Sequence, residues 1–144
     1  MAELDKFYTL KGYELQESNV ITSSMEDYLE MIYRIQTSGE PVRIGTLAEK
    51  LNVRPSSATK MVDNLKKQEL VLSEKYGYVK LTDSGLKLGE YLIFRHNTIH
   101  EFLCYINKST NELEQVEKIE HFINPKTVEN IKQFLYVHNQ GFLV

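Results

Sequence analysis

Apolar residues first fall into a helical register at Tyr28, Leu29, Ile32 and Ile35, a stripe opened by Thr22-Ser23-Ser24 and closed by Ser38-Gly39-Glu40-Pro41. Ser23 and Ser24 each have an acid three residues on, Glu26 and Asp27, which is capping-box spacing and predicts a helix start there. Residues 43 to 51 carry Ile44, Leu47, Ala48 and Leu51 at steps of three, one and three, a short amphipathic helix. Asn52-Val53-Arg54-Pro55 is a tight break, and Pro55 suits the first turn of a following helix whose Ala58, Met61, Val62 and Leu65 face inward. After Leu70 the period shortens, and residues 71–75 and 78–82 read as strands joined around Tyr76-Gly77.

Helix, helix, turn, helix and hairpin is the order of a winged helix-turn-helix, predicted over residues 22–82. Thr82-Asp83-Ser84 then opens a long helix to about residue 106, with Leu86, Leu92, Ile93, Ile99, Phe102, Leu103 and Ile106 apolar. A shorter helix is expected over 110–123, and Asn124-Pro125 caps another bearing Val128, Ile131, Phe134 and Leu135. These helices carry more apolar surface than so small a unit hides by itself, so residues 83–144 are expected to form a helical dimerisation half. Residues 1–21 show no sustained period and are interrupted by Gly12, which predicts a loose or partly helical extension. The fold class expected is mainly α.

Composition narrows the class. A chain of 144 residues with 42% hydrophobic and 26% charged residues buries a core unaided, and is neither disordered nor fibrous. The single cysteine, Cys104, has no internal disulfide partner; in the run Glu101-Phe-Leu-Cys-Tyr-Ile it is expected as a buried structural thiol in a reducing compartment. No stretch reaches the ~18 apolar residues of a membrane span, and the start has no basic region leading into an apolar one, so the expected location is the cytoplasm. The net charge of −3 divides into −5 over residues 1–42, +4 over 43–80 and −2 over 81–144. A basic segment between acidic ones fits a local polyanion contact, although a solvated face would carry the same modest excess.

Within that basic segment the inward stripe of the second short helix leaves Arg54, Ser56, Ser57, Thr59, Lys60 and Lys67 outward. Hydroxyls and a lysine near a helix N-terminus suit base edges and phosphates of double-stranded DNA, because the backbone N–H groups and the dipole favour an anion there. Ser56 and Ser57 have a plainer reading as capping residues. Lys75 and Lys80 of the hairpin are placed to reach the neighbouring DNA backbone.

A second constellation combines acids and imidazoles. Asp27 and Glu30 share a face of the first helix; Glu117, Glu120 and His121 are spaced i, i+3, i+4 on a later one, a pattern also common on solvated helices. His96 interrupts the apolar stripe of the long helix, where a satisfied core histidine is the usual case, and His100 lies one turn on without a third ligand beside it. If the helical half folds back on the first helix, four acids and two imidazoles converge, and so many acids need a cation to be stable together. Oxygen and imidazole donors without thiolate suit Mn²⁺, less sharply Fe²⁺, and accept Zn²⁺ or Co²⁺ in vitro. Six donors with bridging carboxylates can hold two ions.

Taken with these features, Ser24-Met-Glu-Asp-Tyr-Leu-Glu-Met-Ile-Tyr, Arg54-Pro-Ser-Ser-Ala-Thr-Lys-Met-Val, Glu74-Lys-Tyr-Gly-Tyr-Val-Lys-Leu-Thr, Phe94-Arg-His and Val116-Glu-Lys-Ile-Glu-His resemble, in order and spacing, the manganese-responsive branch of the diphtheria toxin repressor family. The resemblance runs from about residue 22 to 140. It implies a homodimeric repressor in which Mn²⁺ promotes binding to palindromic operators of metal-uptake genes. Position by position it implies Asp27, Glu30, His96, Glu117, Glu120 and His121 as metal ligands. The iron-responsive branch has methionine and cysteine where this chain has Asp27 and Glu117, and those two oxygens favour manganese. The SH3-like third domain of the iron-responsive members is not expected in a chain ending at Val144, and the extension 1–21 departs from the shorter members. Two competing readings are a metalloenzyme that activates water between two ions, and a winged-helix regulator answering to Fe²⁺, Zn²⁺ or a small organic ligand. Turnover of a phosphate ester separates the first from a repressor, and metal-dependent DNA binding separates the second.

Overall fold

The computed structural model describes residues 9–10 and 21–138; all but residues 9, 10 and 21 of the extension 1–21 lie outside the described residues, as do 139–144. The first helix, α1 (Ser23–Thr37), starts one residue earlier than a Ser23 cap requires and two earlier than a Ser24 cap: the Thr22 hydroxyl accepts from the Met25 N–H at 3.2 Å. Glu26 does not fold back as a capping-box acid, because its carboxylate is engaged across the fold, as described below. Met25, Tyr28, Leu29, Ile32 and Ile35 of α1 are buried.

Residues 42–81 make the rest of the winged unit. A two-residue strand, β1 (Val42–Arg43), leads into α2 (Ile44–Leu51); Asn52 then takes the left-handed conformation, and α3 (Pro55–Lys67) begins with Pro55 at its first position. β2 (Val71–Ser73) and β3 (Tyr78–Leu81) pair antiparallel around a 3₁₀ turn at Lys75–Gly77. The sheet is three-stranded, in the order β1-β3-β2, with Val42 opposite Val79 and Arg43 opposite Tyr78. The sequence pattern missed β1, since two residues have no period of their own. Arg43 reinforces the pair by donating to the Tyr78 hydroxyl at 2.6 Å and covering its ring at 4.4 Å.

The long helix α4 (Asp83–Asn107) is capped by Thr82, whose hydroxyl accepts from the Gly85 N–H. It is followed by α5 (Leu113–Ile119), a 3₁₀ turn at Glu120–Phe122, and α6 (Pro125–His138). The helix expected over 110–123 is therefore shorter and broken at Glu120. Two cores result. The first gathers the α1 stripe, Leu47, Ala58, Val62, Leu65, the strands and Leu92; the second gathers Ile99, Leu103, Val116 and Val128. α4 belongs to both, and it approaches the winged unit closely at two glycines. A Cβ at Gly85 would run into the Leu70 carbonyl oxygen, and one at Gly89 would lie 2.5 Å from the Tyr33 ring. Among the described residues no helix is long and apolar enough to cross a membrane.

Several apolar side chains of the helical half stay open to solvent, among them Ile106, Phe122, Phe134, Tyr136 and Val137. Phe102, Ile106, Ile131 and Phe134 line an apolar groove between α4 and α6. Cys104 is half-buried rather than buried. His100 serves the loop before α5, its Nε2 accepting the Glu112 N–H at 3.2 Å beside the Cys104 sulfur at 3.6 Å.

Candidate metal centre

The register of α4 puts Arg95 and His96 between Leu92 of the first core and Ile99 of the second, so both side chains emerge where the cores meet. α1 brings Glu26, Asp27 and Glu30 to the same seam, and the 3₁₀ turn after α5 brings Glu120 and His121. Breaking the helix at Glu120 turns that carboxylate fully inward, to 1% exposure, while Glu117 on α5 stays open.

Two clusters form here. Glu30, His96, Glu117 and Glu120 each offer a donor atom within 4.8 Å of the others, and so do Asp27, Glu120 and His121. All six residues expected as ligands are thus brought together, and Glu120 belongs to both groups. His96 faces its group through Nδ1, 2.9 Å from Glu120 Oε2 and 3.6 Å from Glu117 Oε1. His121 faces its group through Nε2, 3.0 Å from Asp27 Oδ1.

Burial and mutual contact shift several groups of this cluster. Burial pushes the Glu30 carboxyl up, with the Glu120 charge adding to it and Arg34 opposing; burial followed by Glu120 and Glu30 does the same to Glu117. The hydrogen bond to Glu120 raises His96 against the effect of burial. Hydrogen bonds to Asp27 and then to Glu26 push His121 up to about 10. A divalent cation taking these donors replaces protons, the usual linkage of metal sites. Four carboxylates and two imidazoles, with no sulfur among them, are a donor set suited to a hard or borderline cation, so the residues present fit the ion that the resemblance implies.

Glu26 and Arg95 are the residues the sequence reading missed. Arg95, 4% exposed, grips Glu26 with both terminal nitrogens at 3.3 Å, and the same carboxylate accepts from His121 Nδ1 at 2.9 Å. Their signal was available only as adjacency: Arg95 precedes His96, and Glu26 precedes Asp27.

In the winged unit, Arg54, Ser56, Ser57, Thr59, Lys60 and Lys67 are all exposed on or beside α3. The plain capping reading of Ser56 and Ser57 is not what is found, because Arg54 is the N-cap residue and no side chain caps this helix. The Lys75 side chain lies outside what is described. Lys80 is exposed and 3.7 Å from Glu74, an ion pair that offsets part of its charge.

Comparison with known proteins places most of the chain in one family. The iron dependent repressor N-terminal DNA-binding domain matches residues 20–79, and the iron dependent repressor metal-binding and dimerisation domain matches 82–138. The HTH-type transcriptional regulator MntR of Oceanobacillus iheyensis is 43% identical over 111 residues, 76% of each chain. Among solved structures, the manganese regulator SloR superposes with a TM-score of 0.70 at 32% identity, over 78% of this chain and 53% of its own. ScaR with bound Zn²⁺ gives 0.68 at 33%, over 77% and 53%; its metal-free form is described as a manganese-activated repressor. The chain therefore spans about half the length of these solved regulators. The relatives are regulators rather than enzymes, which sets the hydrolytic reading aside. With a DNA-binding domain ahead of a metal-binding and dimerisation domain, the chain belongs to the iron-dependent repressor family of metal-dependent transcriptional regulators.

Proposed function

We propose that this chain is a Mn²⁺-activated repressor that binds palindromic operators of metal-uptake genes as a homodimer in the cytoplasm. Asp27, Glu30, His96, Glu117, Glu120 and His121 are its ligands, residues 22–82 its DNA-binding domain and residues 83–144 its dimerisation and metal-binding domain. The observation that carries this reading is the buried Glu120 carboxylate shared by two donor clusters, each joining α1 to the helical half. A shared carboxylate is the arrangement for two ions per protomer, and two divalent cations cancel the four ligand carboxylates. The apolar groove between α4 and α6 suits the second copy. Arg54, Ser56, Ser57, Thr59, Lys60, Lys67 and Lys75 meet DNA, each protomer reading one half-site about one helical turn from the other.

Fe²⁺, Co²⁺ and Zn²⁺ occupy the same donors in vitro, consistent with ScaR having been crystallised with Zn²⁺. The test is a titration of affinity for a palindromic fragment upstream of a metal-uptake gene against Mn²⁺, Fe²⁺ and Zn²⁺, with sedimentation of the free protein. The expected result is a dimer whose DNA affinity rises most with Mn²⁺. DNA binding indifferent to every metal overturns the reading.

A further inference from the structure

We propose that Glu26, anchored by Arg95, is a positioning residue of the metal centre that holds His121 with Nδ1 protonated and Nε2 turned to the ion. This rests on the metal-binding reading above.

An imidazole offers two nitrogens, and which one meets a metal is set by the hydrogen bond the other makes. His121 Nε2 lies beside Asp27 in the second cluster, while Nδ1 lies 2.9 Å from Glu26 Oε1 on the far side of the ring. Glu26 belongs to neither donor cluster. Its carboxylate is held by Arg95, with Nη2 at 3.3 Å from Oε1 and Nη1 at 3.3 Å from Oε2, and the same Nη2 lies 3.3 Å from His121 Nδ1. That two-pronged contact fixes the plane of the carboxylate as a lysine would not, and keeps it from swinging round to become a ligand.

Charge points the same way. Two divalent ions offset the four ligand carboxylates, and the fifth carboxylate of the seam, Glu26, is offset by the buried Arg95 guanidinium. Glu26 then acts on the imidazole through its hydrogen bond to Nδ1 rather than by binding the ion. His96, by contrast, faces its cluster through Nδ1, which lies 2.9 Å from Glu120. The two imidazoles thus face their clusters through different nitrogens, and among the described residues His121 is the one whose second nitrogen meets a carboxylate.

The test combines Mn²⁺ calorimetry with ring ¹⁵N spectra of His121 in protein loaded with diamagnetic Zn²⁺, for wild type, Glu26→Ala and Glu26→Gln. Wild type is expected to show Nδ1–H and metal-bound Nε2. Glu26→Ala is expected to lose that tautomer and about 10- to 100-fold in affinity at one of the two ions. Glu26→Gln, whose amide oxygen still accepts from Nδ1–H, is expected to keep the tautomer and lose at least about threefold in affinity. Glu26→Gln retains the volume of the side chain and decides the matter if Glu26→Ala fails to fold. Wild-type affinity in Glu26→Gln, or an unchanged tautomer with both ions bound normally in Glu26→Ala, overturns the proposal and leaves Glu26 a mere tie between helices. A wild-type protein that binds neither Mn²⁺ nor Zn²⁺ overturns instead the metal-binding reading on which it rests.

Discussion

Replacing Glu120 by glutamine separates the needs of the ions from those of the fold. Glu120 is 1% exposed and accepts from His96 Nδ1 at 2.9 Å, and its charge also raises Glu30 and Glu117. Glutamine keeps the shape and an oxygen for His96 while removing one of several crowded negative charges. The metal-free protein is therefore expected to keep its stability to within about 1 kcal/mol, relief of like-charge repulsion offsetting the weakened hydrogen bond. The ions fare differently. A unit charge removed about 4 Å from a divalent cation forfeits twice the ~4 kcal/mol of a unit pair at an effective dielectric near 20. The amide oxygen of glutamine remains a neutral donor and returns a large part, leaving a loss on the order of 2–4 kcal/mol per ion, about 30- to 700-fold in affinity. Because Glu120 belongs to both clusters, both phases of a Mn²⁺ titration should weaken. Glu117→Gln, confined to one cluster, should weaken one phase. Calorimetry with Mn²⁺ and thermal unfolding of the metal-free protein read the two effects separately. Wild-type affinity for both ions, or loss confined to one, refutes a shared carboxylate; a large fall in metal-free stability refutes the argument from crowding.

Lys60→Ala should weaken DNA binding and lower the slope of log affinity against log salt by about 1, if its partner is a phosphate; an unchanged slope and affinity when Ser57→Ala is added would place DNA on another face. Asp27→Met with Glu117→Cys supplies two soft donors in place of hard oxygens, so activation of DNA binding should shift from Mn²⁺ toward Fe²⁺ and Co²⁺ in a metal titration. Gly89→Ala sets a Cβ 2.5 Å from the Tyr33 ring and 2.8 Å from its Cβ, so α1 and α4 must part; denaturant unfolding should show a loss of about 1–3 kcal/mol, and wild-type stability would mean that the crossing is looser than these distances.

The parts legible in the sequence were those fixed by local pattern. The α1 stripe, the inward face of α3 and the Thr82 start of α4 follow from period and capping chemistry, and each falls where the pattern puts it. What depends on distant partners was not legible. β1 exists only because Val42 and Arg43 lie against β3. The spacing of Glu117, Glu120 and His121 suggested one helical face, but the chain leaves the α-helix after Ile119 and the last two of these residues sit in a tighter turn. The capping-box spacing of Ser23 and Glu26 was real as a pattern and misleading as a contact. A local hydrogen bond competes there with an arginine and a histidine 69 and 95 residues away in the chain, and the buried charged partners win.

On the reading proposed above, the seam position of the centre gives an ion a route to α3 through the packing of the winged unit. α1 carries Asp27 and Glu30 toward the helical half and Leu29 and Ile32, both 0% exposed, into the core that also holds Ala58, Val62 and Leu65 of α3. A helix so packed does not shift alone, because moving it opens a void on one side and overpacks the other. Closing the two clusters therefore sets α1 against α4, and α3 follows through the shared core. An ion biases this arrangement only by binding it better than its alternatives. The donors that supply that difference are those that bridge the seam, Asp27 and Glu30 from one side against the buried Glu120 from the other. By linkage, DNA that selects the same setting of α3 must tighten the ions by the factor by which they tighten DNA.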